Sequence, residues 1–386
     1  MYNRSQVFIA ACLGLFIFGM TLITLGSILP ELKESYSREE LKEGTLTSIL
    51  PIGILLGSLV FGPIVDRYGY KFLLITSVII SAASLCLLAM TKSPTTIYIC
   101  IFLIGFGGGV INGGTSALVS DISSEDKAAN LSLLGVFFGV GAFGLPFLLA
   151  ALSKSFSYDQ ILFGISLAMF LPVIWYLFIR FPKPKLEQGF PLKQGLALLK
   201  EGPLLITAFF LFFQSATEAL SNNWTTSFLQ SKLDITQKQA LFALSFSVAG
   251  FTVARLILAA LLRKISSFII MVVSLMLVVA GNLIMHYATS YNLAFGSLLL
   301  TGMGLAGGFP VMLGYIGQLY AQLSGTAFSI LLVIALIGNT FINFVFGELT
   351  IRYSIDYLPF AIILCTVMML ILLFIIRSKL NDKIKM

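Results

Sequence analysis

A single carboxyl set in a long apolar run suits one task well. It can be charged or carry a proton, and it must find a wet cavity or a partner in either state. Glu218 is such a group, inside the apolar run 209–220, and no other acid lies in the interior of such a run. Gln214 stands four residues before it and Asn222 four after, followed by Asn223 and Trp224. Amides offer donors and acceptors together, as sugar hydroxyls do, and an indole gives a flat apolar face for the C–H side of a pyranose ring. Asn112, Asn339 and Asn343 are further neutral amides in apolar surroundings. Taken singly, each amide serves equally well as glue between helices.

A second constellation reads Gly62-Pro63-Ile64-Val65-Asp66-Arg67-Tyr68-Gly69-Tyr70-Lys71. Here Gly62 allows close packing of two helices, and Gly69 supplies the backbone freedom of a very short turn. The Asp66 carboxylate is suited to a helix N-terminus, whose partial positive charge it complements. Arg67 calls for an acid at the end of another apolar run, and Asp121 is the candidate. Arg255, alone within its own run, either reaches back toward water along its stem or closes the floor of a cavity. At 1.5 Å per residue its depth differs from that of Glu218 by roughly 9 Å, which argues against a direct pair.

Other chemistry lacks material. His286 is the only histidine, and Cys12, Cys86, Cys100 and Cys365 all lie in apolar runs without a CxxC pair. That fits small buried hydrophobes, with no metal site and no nucleophile–histidine couple. Glycine strings such as Gly105-Phe106-Gly107-Gly108-Gly109 follow no strand, so no dinucleotide or other cofactor is expected.

The elements that must position these groups follow from composition. Apolar residues make up 58% of the 386 and charged residues only 11%, against about 25% charged in soluble domains. Lys and Arg occur in short clusters between apolar runs, not along a continuous basic face, so the net charge of +7 does not indicate nucleic acid. The expected class is an all-α integral membrane protein. Using roughly 20 residues per crossing, twelve helical spans are predicted. They are 7–29, 44–65, 71–91, 95–120, 128–152, 160–180, 203–230, 237–263, 266–288, 291–321, 324–349 and 357–377. The first reads as a span and not as a cleaved leader, being too long and lacking a small-residue cleavage site.

With the N-terminus inside, fifteen Lys and Arg fall on the inner side and eight on the outer. This bias places both termini in the cytoplasm. The Lys-, Pro- and Gly-containing stretch 182–202 divides a six-helix half, 1–181, from a second, 203–386. It reads as a solvated connector with a short amphipathic helix around 192–200. The halves resemble each other. An offset of 197 lays Gly105-Phe106-Gly107 on Gly302-Met303-Gly304, Asp66-Arg67 on Arg263-Lys264, and Gly141 on Gly338. Two related halves with a site between them is a transporter architecture.

The 62–71 segment resembles the signature of the major facilitator superfamily, with Tyr70 standing where that family often has Arg or Lys. The resemblance implies that Asp66 meets the start of the eleventh span, near Ser324-Gly325-Thr326, as a latch on the cytoplasmic side. The gating set read here is Gly62, Asp66, Arg67, Gly69, Lys71, Asp121 and Arg255, the last serving gating or substrate orientation. Span 4 (105–112), span 5 (132–142), span 7 with Glu218 and Asn222-Asn223-Trp224, Arg255, and span 10 (302–310) are together similar to the fucose:proton symporter family and its glucose- and galactose-transporting relatives. That implies alternating-access transport of a monosaccharide across the plasma or inner membrane. The partners implied are the lipid bilayer and a coupling proton or sodium ion. A single chain is expected to suffice. The proton-coupled fucose transporters carry acids in spans 1 and 4, where none is read here, so coupling would rest on Glu218, with sodium coupling or uncoupled passage open. Competing readings are export of amphipathic drugs or another metabolite, favoured by the 34 phenylalanines, and a non-transporting receptor.

Overall fold

The computed structural model describes residues 2–36, 43–186 and 192–380. Among the described residues, twelve stretches are long and apolar enough to cross a membrane, each over one of the twelve predicted spans with ends shifted by a few residues. No strand occurs among the described residues. In hydrocarbon a backbone must satisfy its own polar groups, and continuously apolar runs of this length do so only as helices.

The helices are α1 Arg4–Ser35, α2 Glu43–Tyr68, α3 Tyr70–Met90, α4 Pro94–Ile122, α5 Lys127–Leu152, α6 Tyr158–Ala168 and α7 Phe170–Phe178. The expected linker helix is α8, Leu192–Leu198. Then follow α9 Gly202–Leu233, α10 Gln237–Leu261, α11 Ser267–Tyr287, α12 Tyr291–Leu305, α13 Gly308–Leu319, α14 Ser324–Arg352 and α15 Leu358–Leu380. Two starts carry capping boxes, Ser157 with Gln160 and Thr236 with Gln239, which satisfy orphan amides at each end.

Two spans predicted as continuous are interrupted. The sixth breaks at Met169 between α6 and α7, and the tenth at Ala306-Gly307 between α12 and α13. Pro172 removes the N–H that the Ala168 carbonyl would accept, and Pro310 does the same to Ala306. Gly307 and Gly308 further weaken the helix at the second break. Pro51, Pro63 and Pro146 are carried inside unbroken helices, so proline permits these breaks without dictating them.

By internal contacts the chain forms two units. Unit 1 comprises residues 1–122, 137–195 and 321–329; unit 2 comprises 123–136, 196–320 and 330–386. The first turns of α5 thus belong to unit 2 and the rest of that helix to unit 1. For α14 the assignment is reversed. Within unit 2, Leu220, Phe228, Val278, Leu298 and Ile362 form an apolar core among α9, α11, α12 and α15. Many large apolar residues remain outward, such as Phe178 and Phe344, as a lipid-facing surface requires.

The internal repeat is written into the packing. A methyl on Gly53 would overlap the Phe102 carbonyl, and one on Gly250 would crowd that of Leu299. Gly105 abuts the Leu50 carbonyl as Gly302 abuts that of Ser247; Gly107 meets Ser77 as Gly304 meets Ser274. Both members of every pair recur 197 residues later. Between helices in lipid the hydrophobic effect gives little, so such backbone-to-backbone approaches carry the packing. Gly302→Val should therefore destabilise by about 1–3 kcal/mol, read as a thermal midpoint in detergent several degrees lower. Gly164→Ala, with open space around it, should leave the midpoint unchanged or raise it. Equal effects of the two would refute the packing role.

Candidate functional site

In unit 1 the 62–71 segment builds a charge network. Asp66, 0% exposed, ends α2 against the first turn of α14. Its Oδ1 accepts the Gly325 N–H at 3.2 Å, and its Oδ2 accepts the Thr326 N–H at 2.8 Å and the Thr326 hydroxyl at 2.7 Å. The carboxylate thus caps a helix in another part of the chain, meeting its orphan amides and its dipole together. Gly62 makes the approach possible, since a Cβ there would collide with Gly325. Gly69, at φ +80°, turns the chain directly from α2 into α3.

Asp121, at the end of α4, is the second acid. Tyr70 donates its hydroxyl to Asp121 Oδ2, Ser324 donates to Oδ1 at 2.7 Å, and Lys185 Nζ lies 2.7 Å from Oδ2. The same ammonium stands 3.9 Å from Asp66 Oδ1 and donates to Ser324 Oγ. Sequence reading set Arg67 against Asp121; the cation placed there is Lys185. Arg67 Nη1 instead donates to the Leu186 carbonyl at 3.1 Å. The backbone N–H groups of Lys185 and Leu186 both donate to the Asp66 carbonyl, at 3.1 and 3.0 Å. The beginning of the expected solvated connector is therefore bound to the α2–α3 turn. Lys71 Nζ donates to the carbonyls of Leu177 and Ile179 at 2.7 and 3.3 Å, a cation at the negative end of α7.

In unit 2 the start of α5 is held by basic side chains on carbonyls and amides. Lys127 Nζ donates to the Gly317 carbonyl at 3.0 Å, Arg263 Nη2 to Asn130 Oδ1 at 3.1 Å, and Arg255 Nη1 to the Gly135 carbonyl at 3.1 Å. Arg255 is 9% exposed, with its guanidinium 4.2 Å from the centre of the Phe251 ring. It does not snorkel. Among the described residues it forms no ion pair with Glu218, on the adjacent helix α9.

The polar face of α9 is also in unit 2. Gln214 Nε2 donates to Glu218 Oε1 at 2.8 Å and to the Leu305 carbonyl at 2.9 Å. Leu305 is the last residue of α12, at the break before Pro310. Further along α9, Trp224 Nε1 and Asn223 Nδ2 both donate to Asn343 Oδ1, at 3.0 and 3.2 Å, and Asn343 Nδ2 donates to the Asn339 carbonyl at 2.8 Å. Five of the eight candidate binding side chains thus form two hydrogen-bonded sets on α9 and α14, with the backbone carbonyl of Asn339 joined to the second. Asn222 is exposed beside them, and Asn112 belongs to unit 1. Sequence reading missed Lys185, Ser324 as a bridging hydroxyl, and Lys127.

Residues 11–341 match the family model described as Major Facilitator Superfamily. The glucose/mannose transporter GlcP of Bacillus subtilis is 22% identical over 343 residues, covering 86% of this chain and 85% of that protein. The 4-hydroxybenzoate transporter PcaK of Pseudomonas putida is 24% identical over 159 residues, 41% of this chain and 35% of that one. The structure of the superfamily transporter FucP, solved in the outward conformation, superposes with a TM-score of 0.81 at 17% identity, covering 96% of this chain and 98% of that one.

Lys185→Gln leaves two carboxylates without their shared cation, and Asp66→Ala removes the α14 cap. A hydrogen bond to a charged group contributes about 1.5–3 kcal/mol. Amide exchange at 325–328 should accelerate at least tenfold in both variants, while Lys71→Gln leaves it unchanged. Unaltered exchange in Asp66→Ala would dismiss the cap.

Proposed function

The chain belongs to the Major Facilitator Superfamily, a family of multi-pass transporters and not of enzymes, and from that premise we propose that it takes up a monosaccharide across the cytoplasmic membrane by cation-coupled alternating access. The observation that carries this reading is the Gln214–Glu218 pair, continued along α9 by the Asn223–Trp224–Asn343 cluster. A half-buried carboxyl held by one amide can accept a proton or a cation. The amides and indole beyond it have the donor, acceptor and flat apolar surfaces that a sugar ring needs. Similarity to a glucose/mannose transporter over most of both chains supports the sugar. Both termini lie in the cytoplasm, and 182–202 joins two six-helix halves that rock about the solute.

In this cycle the Asp66 contact with Gly325 and Thr326 breaks and reforms, with Arg67, Lys71 and Asp121 positioning the segments around it and Arg255 holding the start of α5. A second reading takes an aromatic acid as the solute. It is supported by the similarity to a 4-hydroxybenzoate transporter and by the buried guanidinium of Arg255.

Counterflow in proteoliposomes loaded with hexoses, deoxyhexoses and 4-hydroxybenzoate separates the two readings without a guess about the driving ion. Saturable exchange of one sugar supports the first. Exchange of the aromatic acid alone supports the second. Glu218→Gln should abolish gradient-driven accumulation while leaving counterflow measurable; full accumulation in that variant removes Glu218 as the coupling group. Asp66→Asn should slow turnover about tenfold or more, the cost of a charge-assisted bond, with substrate affinity within a few-fold. A large affinity loss would place Asp66 in binding instead.

A further inference from the structure

Arg255 carries a positive charge into the interior of unit 2, and holding α5 occupies only part of it. Nη1 donates to the Gly135 carbonyl, and the guanidinium carbon lies over the Phe251 ring. Nε is buried with no acceptor. Nη2, which shares one edge of the plane with Nε, also has no acceptor among the described residues. No acid among them forms an ion pair with this guanidinium. Glu218, set deep in α9, is engaged by Gln214 instead. A buried cation without a counter-ion is strongly destabilising, and a guanidinium serving only as a strut would be met along both edges. What this one lacks is an anion.

Arg255 also stands at the level of the α9 polar face. Gln214 donates to the carbonyl of Leu305. Ala254, the residue before Arg255, shares an apolar cluster with Ala306, the residue after Leu305. Both helices thus meet α12 at its break, and α9 and α10 pack against each other. Glu218 lies one helical turn beyond Gln214, and Asn222, which is exposed, one turn beyond Glu218. A cation, a carboxyl and neutral amides are therefore gathered on two adjacent helices of one unit.

We propose that the solute carries a carboxylate and that Arg255 binds it through the Nε–Nη2 edge. A carboxylate meets that planar edge with two parallel hydrogen bonds. The inference rests on the sugar reading and narrows it. With the hydroxyl-matching amides of α9 and α14, the solute class is a sugar acid, a uronate or an aldonate, in place of a neutral hexose. The charge of the solute then cancels that of Arg255. Glu218 is left to hold the coupling proton or cation, with no neighbouring guanidinium to neutralise.

The test is counterflow in proteoliposomes with matched pairs, D-glucose beside D-glucuronate and D-galactose beside D-galacturonate, and with 4-hydroxybenzoate as an acid that lacks the sugar. The wild type should exchange one uronate at a half-saturating concentration about tenfold or more below that of its parent hexose. Arg255→Gln should remove this preference. Arg255→Lys should keep part of it, since an ammonium retains the charge without the planar edge. Lys127→Gln loosens the start of α5 through a different contact and should leave the ratio of uronate to hexose unchanged. An equal shift there would mean that Arg255 acts only through α5, and would overturn the assignment. A parent hexose exchanged as well as its uronate overturns the proposal and leaves the sugar reading standing. Exchange of 4-hydroxybenzoate alone overturns the sugar acid together with the sugar reading, and so does silence to every solute with correctly inserted protein. The wild-type comparison needs no variant, and thermal melts of the three variants separate loss of the site from loss of the fold.

Discussion

A carboxylate sealed from solvent must find its partners within the protein, and Asp66 organises four segments of chain in doing so. An isolated buried charge costs several kcal/mol. Two amides and a hydroxyl at the start of α14 meet this carboxylate, and its own carbonyl draws in the backbone at Lys185 and Leu186. That brings Lys185 to the second acid, Asp121. One ammonium and the partial charge of a helix end face two carboxylates, so each partner is needed more than it would be in a balanced pair. The neutral hydroxyl of Tyr70 adds a donor where a further cation would be usual in the family motif.

The helical spans were legible because a membrane crossing demands about twenty apolar residues in a row, and nothing in tertiary context can revise that. Pro172 and Pro310 marked where the sixth and tenth spans could break, but Pro51, Pro63 and Pro146 sit in unbroken helices, so the sequence did not say which prolines would do so. Reading runs by apolarity alone passed over them. Glu218 stood out because an acid in an apolar run has no local explanation, and its Gln214 partner lies at the spacing of one helical turn. Lys185 gave no such sign. It sits among Lys183, Pro182 and Pro184, where a basic residue is already explained by topology, and its two acids are 119 and 64 residues away in sequence. For Arg255 the sequence left two readings open, and only the packing shows its guanidinium turned to the Gly135 carbonyl.

Packing within each unit follows from a weak driving force. Lipid chains solvate a leucine as well as another helix does, so the attraction between helices must come from close contact. The glycines facing Phe102, Leu50 and Ser77, and their counterparts facing Leu299, Ser247 and Ser274, place backbone against backbone where side chains would hold it apart. These contacts recur at one offset of 197 residues.

The division of α5 and α14 between the two units has a mechanical meaning. A helix is stiff over its length, and the portion of α14 from residue 330 to residue 352 spans roughly 35 Å at 1.5 Å per residue. Its short end is anchored in unit 1 and its long arm is embedded in unit 2. Each unit thus holds a few turns of a helix whose remainder belongs to the other, α14 in one sense and α5 in the reverse. Neither helix is interrupted at that boundary, so the chain passes from one unit to the other there through continuous helix and not through a pliable loop.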